Sequence, residues 1–200
     1  TAVATAAGAA VGFLVKSGYG PEQIGFLASM ATAGSAIGLL AFMGLADRVR
    51  HRIRTYACCI VGWSAAPILA GVLALVPRSV LPLPTLLLLF AALCFGQMVV
   101  GALWIMLDYP ILMRTISVRV RGRVFALLTT AFGILAVLGG LLSARVLKQM
   151  PYPTGYALCF IAAGACGVVR AFIYSRQKEL PELAVPGASR SPLPFAALLD

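Results

Sequence analysis

Gly44-Leu45-Ala46-Asp47-Arg48-Val49-Arg50-His51-Arg52-Ile53-Arg54 places four arginines, one histidine and one aspartate in eleven residues. On either side the chain runs for some twenty residues without a charge. Hydrocarbon holds a charge only at high cost, so a charged hinge between two such runs marks a sharp turn at a membrane face. The excess of arginine assigns that turn to the cytoplasmic side.

Composition carries the same message outward from the hinge. Of the 200 residues, 61% are hydrophobic and 11% charged, whereas a soluble domain carries about 25% charged residues. The chain reads as an integral membrane protein. A net charge of +10 would point to nucleic acid in a soluble protein. Here the charges sit in short turns rather than on a solvated basic face, so no nucleic-acid partner is expected. Cys58, Cys59, Cys94, Cys159 and Cys166 all fall within apolar runs without ligand spacing. They read as small hydrophobes, and neither a metal site nor another cofactor is expected. The chain opens Thr1-Ala2-Val3, with neither a start methionine nor a basic leader, so it reads as a fragment without a signal peptide.

Taken in order, six spans emerge. Residues 1–15 fall short of the ~20 a spanning helix needs and read as the second half of a truncated first helix. Ser17-Gly18-Tyr19-Gly20-Pro21 forms a turn, with Pro21 suited to the first turn of the next helix. The other spans are predicted at 22–46, 56–76, 85–113, 124–147 and 156–175, with 176–200 a proline-rich cytoplasmic linker or tail. Gly34 and Gly38 in the second span form a G-x-x-x-G pair that lets another helix backbone come close. A second arginine-rich turn, Arg114 to Arg123, follows the fourth span. Alternating the turns, with the tail inside, puts twelve of the sixteen Lys and Arg on the cytoplasmic side, as the positive-inside rule requires.

With the spans in place, Met43-Gly44-Leu45-Ala46-Asp47-Arg48-Val49-Arg50-His51-Arg52 resembles the signature of the major facilitator superfamily between its second and third helices, roughly G-x-L-A-D-R-x-G-R-R. Leu45, Ala46, Asp47, Arg48 and Arg52 match in register; Met43 stands at the first glycine, with Gly44 one place later, and Arg50 stands at the second. Arg121-Gly122-Arg123-Val124-Phe125 is similar to the start of the fifth helix of bacterial members, and Pro151-Tyr152-Pro153…Tyr156-Ala157-Leu158 to the approach to the sixth. The resemblance covers essentially the whole chain. It implies an all-α, polytopic transmembrane bundle: the amino-terminal six-helix half of a transporter, built from 3+3 inverted repeats. Its implied partners are the lipid bilayer, a missing carboxyl-terminal half and a small-molecule substrate. The implied location is a bacterial inner membrane.

Two constellations carry candidate function. Gly44, Asp47, Arg48 and Arg52 form a gating motif. A carboxylate at a helix C-terminus opposes the dipole unless cations or a facing helix N-terminus compensate it. Such a cluster can hold the cytoplasmic side shut in one state and release it in another. The competing reading is a topogenic turn whose arginines meet lipid phosphates, and that reading suits Arg50 and Arg54. The second constellation is Gln97, Gly101, Trp104 and Asp108, spaced four, three and four so as to share one stripe of the fourth helix. An amide, a gap, an indole and a carboxylate on one face fit a translocation path or bundle interior. Alternatively, Trp104 belongs to an interfacial belt and Asp108 reaches cytoplasmic water. Thr129 and Thr130 either join that face or satisfy their own helix backbone.

No carboxylate pair, P-loop or H-E-x-x-H occurs, and His51 has no nucleophile near it in sequence, so no enzyme is expected. Two readings stand: a secondary transporter half working by alternating access, or a scaffold or lipid-handling protein such as a scramblase or assembly factor. A transporter exposes the fourth-span stripe to water, whereas a scaffold buries it or turns it to lipid.

Overall fold

The computed structural model of the chain describes residues 2–43, 52–77, 79–115 and 118–176. Six helices account for nearly all of them: α1 Ala2–Lys16, α2 Pro21–Phe42, α3 Arg52–Leu75, α4 Leu83–Thr115, α5 Val118–Gln149 and α6 Thr154–Ser175. Five of these are long and apolar enough to cross a membrane, and α1, at 15 residues, is the short one. No strand occurs among the described residues.

The local chemistry explains the punctuation. Gly18 ends α1 at φ +89°, a conformation that only glycine takes easily. Tyr19 N–H donates back to the Leu14 carbonyl there (3.1 Å). Pro21 opens α2, and the Gly20 N–H donates to Gln23 Oε1 at 2.5 Å. Three boundaries differ from the sequence reading by four residues or more. α2 ends at Phe42 rather than near 46. α3 begins at Arg52 rather than near 56, and α5 at Val118 rather than near 124. Arg119, Arg121 and Arg123 therefore lie on the first turns of α5 instead of in a turn. Arginine is a good helix former, and only Gly122 interrupts that run.

Backbone approach sets the packing. A Cβ on Gly34 would lie 2.5 Å from the Phe95 carbonyl oxygen, and one on Gly38 would lie 2.9 Å from Val99 Cα. The G-x-x-x-G face of α2 thus sits directly on the α4 backbone. α3 and α6 cross through a second small-residue contact: a Cβ on Gly71 would meet the Ala157 carbonyl at 2.9 Å, and one on Gly164 the Ser64 carbonyl at 2.7 Å. Ser29 and Thr32 return their hydroxyls to their own helix, at the carbonyls of Gly25 and Ala28.

The packed pairs obey a rule. Exchanging α1 with α4, α2 with α5 and α3 with α6 turns α1·α6 into α3·α4, turns α2·α4 into α1·α5, and maps α3·α6 onto itself. All five occur; among the described residues only α5·α6 lacks its counterpart, a well-packed α2·α3. This is the pairing expected of two inverted three-helix repeats.

Two apolar clusters close the ends of the bundle. Where α1 ends and α6 begins, Phe13 packs with Phe90, Tyr152, Tyr156 and Phe160 at centroid distances of 5.6–6.2 Å. Tyr19 donates to the Leu83 carbonyl (2.6 Å) and ties that turn to the start of α4. Tyr56, Cys59, Ile60, Leu107 and Ala171 form the core of the other end. Among the described residues α5 packs chiefly against α1 and α6 and buries none of its apolar window inside the bundle.

Candidate functional site

The gating motif falls at the junction of α2 and α3. Gly44, Asp47 and Arg48 lie outside the described residues; Arg52 is the first residue of α3, and its side chain also lies outside them. The fourth-span stripe is described in full. Gln97 is half-buried, one turn before the buried Gly101. The gap at Gly101 is taken up by Trp63 of α3: an added Cβ would lie 3.2 Å from the Trp63 Nε1. The Trp63 ring stands 5.7 Å from that of Trp104, tilted by 36°.

Below Trp104 the stripe ends in a polar chain shared by three helices. The Tyr56 hydroxyl of α3 donates to Asp108 Oδ1 of α4 at 2.6 Å. The Tyr56 hydroxyl oxygen in turn accepts a hydrogen bond from Arg170 Nη2 of α6 at 2.9 Å. Among the described residues no direct ion pair joins the aspartate to the arginine; the hydroxyl bridges them. The guanidinium lies 5.0 Å from the Trp104 ring centroid and 5.5 Å from that of Tyr174, within cation–π range. Tyr174 in turn packs on Tyr56 at 4.9 Å. Trp104 Nε1–H is buried near the Tyr56 hydroxyl, yet it finds no acceptor that meets hydrogen-bond geometry.

The helices place these groups for simple reasons. Tyr56 is one turn into α3 and 1% exposed, wedged beside Leu107 and Ala171. The antiparallel register of α3 on α6, set by Ser64 against Gly164 and Gly167, brings position 170 back to that first turn. Asp108 is the only acidic residue of α4 and Arg170 the only charged residue of α6. All three polar members lie within candidate membrane spans. A charge at that depth persists when it is paired and hydrogen-bonded.

Arg170 thereby changes its role. It is one of the twelve Lys and Arg that the charge count puts on the cytoplasmic side, yet it sits inside α6, folded back into the bundle. Tyr56, Trp63, Arg170 and Tyr174 all escaped the sequence reading. A signal was present: one lone acid and one lone base, each isolated in its own apolar helix, are a candidate pair. Thr129 and Thr130 lie exposed on α5. Among the described residues, no three His, Cys, Asp or Glu side chains converge on a point.

Comparison with known proteins gives one match. The family model described as Major Facilitator Superfamily matches residues 1–199. Neither the curated proteins nor the solved structures gave a match.

Proposed function

Because this chain belongs to the major facilitator superfamily, we propose that it is the six-helix amino-terminal half of a secondary transporter that moves a small solute by alternating access. The pairing of helices into two inverted triplets is the observation that carries this reading, since such repeats allow a central site to face either side of the membrane in turn. A carboxyl-terminal half of the same polypeptide completes the path. The unburied apolar face of α5, with Leu127, Ile134, Val137 and Leu141 exposed, offers room for that half or for lipid. We place the protein in a bacterial inner membrane, with the Asp47 turn, the start of α5 and the chain end all cytoplasmic.

In this reading Gln97 lines the path while Gly101, Trp104 and Asp108 anchor its helix to α3 and α6. Asp47, with Gly44, Arg48 and Arg52, forms the cytoplasmic gate. The test is thiol accessibility of Gln97→Cys, in a background without native cysteines, to a membrane-impermeant reagent applied from each side. Alternating access expects labelling from both sides, with a solute that locks one state suppressing one of them. Protection from both sides defeats the transporter reading and favours a scaffold. Labelling confined to one side under all conditions also defeats it.

A further inference from the structure

The antiparallel register of α3 on α6 sets Gly71 against Ala157 and Ile161, Ser64 against Gly164 and Gly167, and Tyr56 on Tyr174. Two residues further toward that end come Arg54, in the first turn of α3, and Arg176, the C-cap of α6. The register therefore brings the two arginines to one level. Tyr56 is buried, and two positions along a helix turn a side chain by about 200°, so Arg54 faces outward. Both arginines are exposed. Toward the middle of the bundle Cys58 lies level with Phe172 and Val61 with Val169, and all four are exposed as well.

Depth and charge then narrow what this face meets. The candidate spans of these helices are Ile53–Leu75 and Thr154–Ser175, so Arg54 is the second residue of one and Arg176 the first beyond the other. That is the depth of lipid headgroups, where arginines reach phosphates. Among the described residues no ion pair joins either arginine to an acid: Glu22 lies at the opposite end of the bundle, and Asp108 is bonded to Tyr56 inside it. The first turn of α3 holds no acid, although a helix N-terminus already carries partial positive charge. Arg54 adds to that charge, and an anion relieves both. The Arg176 guanidinium lies 4.7 Å from the Phe172 ring centroid, held against the apolar face by a cation–π contact.

We propose that Arg54 and Arg176 clamp the phosphate of an anionic phospholipid whose acyl chains lie along the outer faces of α3 and α6. A guanidinium presents paired N–H donors that match phosphate oxygens, and two of them from different helices fix the headgroup in place. Val61, Val169 and Phe172 supply the apolar surface one to two turns deeper, where the chains run. A zwitterionic headgroup fits less well, because its ammonium is repelled by the same two cations. The proposal asks only that the chain sits in a bilayer, so it can fail while the transporter reading stands.

Native mass spectrometry of the full chain released from detergent counts bound lipids one at a time. Phosphatidylglycerol and phosphatidylcholine with matched acyl chains are titrated in separate runs. The first phosphatidylglycerol is expected to bind about tenfold more tightly than the first phosphatidylcholine. Arg54→Gln and Arg176→Gln should each weaken it about fivefold, the worth of one arginine near a lipid phosphate. The double variant should lose the preference between the two lipids. Arg123→Gln, which removes another exposed arginine at the same end of the bundle, should leave the first phosphatidylglycerol in place. Inorganic phosphate at the lipid's concentration should not displace it, since the apolar face holds only the chains. Equal binding of the two lipids to the unmodified chain overturns the proposal, whether or not any variant folds. So does a preference that survives loss of both arginines, an equal loss in Arg123→Gln, or displacement by inorganic phosphate.

Discussion

Tyr56 shows how much one hydroxyl does at the residue scale. It donates to Asp108 and accepts from Arg170, so Tyr56→Phe keeps the ring packing and removes both bonds. A cost of about 1–2 kcal/mol is expected, the upper range for hydrogen bonds between membrane helices. Thermal unfolding in detergent measures it. Tyr174→Phe is the control: its ring packs on Tyr56 while its hydroxyl has no hydrogen bond among the described residues, so it should unfold within about 0.5 kcal/mol of the parent chain. At the proposed gate, Asp47→Asn in the intact transporter is expected to impair transport and leave abundance unchanged. A partly solvated charge at a helix end is worth roughly 0.3–2 kcal/mol, enough to shift a two-state balance several-fold and too little to unfold a bundle. Arg54→Gln, at an exposed position, should do much less. Equal effects of the two would reduce Asp47 to part of a topogenic turn. The sequence made Asp108 legible, because an acid inside an apolar run is conspicuous on its own. Tyr56 was illegible: a tyrosine near the start of a membrane helix usually marks an interface. Only the fold brings it between two charges.

At the element scale, the glycines of α2 divide into those that touch and those that do not. Gly34→Ala would set a methyl against the Phe95 carbonyl, a backbone atom that cannot move without shifting α4. A loss of about 1–3 kcal/mol is expected. Gly25 has nothing within 4 Å of the same position, so Gly25→Ala should be neutral or stabilising by up to ~1 kcal/mol through helix propensity. Unfolding of the two variants side by side is the measurement; similar losses would mean that the α2–α4 contact is not the cause. The G-x-x-x-G spacing announced this contact correctly because close approach needs small residues at that interval whatever the partner. The α3–α6 contact was harder to see. Its small residues, Ser64, Gly71, Gly164 and Gly167, are spread over two helices far apart in sequence. The first turns of α5 were misread because arginines look like a loop when only charge is weighed. Helix propensity pointed the other way.

For the whole molecule, the charge asymmetry makes a sharp expectation. Cysteines placed at Ser79 and Ser117 should react with an impermeant reagent from opposite sides of the membrane. Labelling of both from one side would overturn the topology. The six-helix plan was readable from apolar runs and arginine turns alone. The inverted pairing was not, since the basic turn after the second span has no counterpart after the fifth, and the relation lies in which helices touch. The bridge between α3 and α6 also has a history written into chain order. Tyr56 and Arg170 are 114 residues apart, and at ~5–20 residues per second of synthesis the tyrosine precedes the arginine by roughly 6–23 s. During that interval Asp108 enters the membrane before Arg170 has been made, and the small-residue face of α3 that α6 will cover is still unpartnered. The nascent chain is therefore most vulnerable to proteolysis and mispairing just before α6 emerges, and a variant that slows delivery of α6 would lower yield without altering the finished protein.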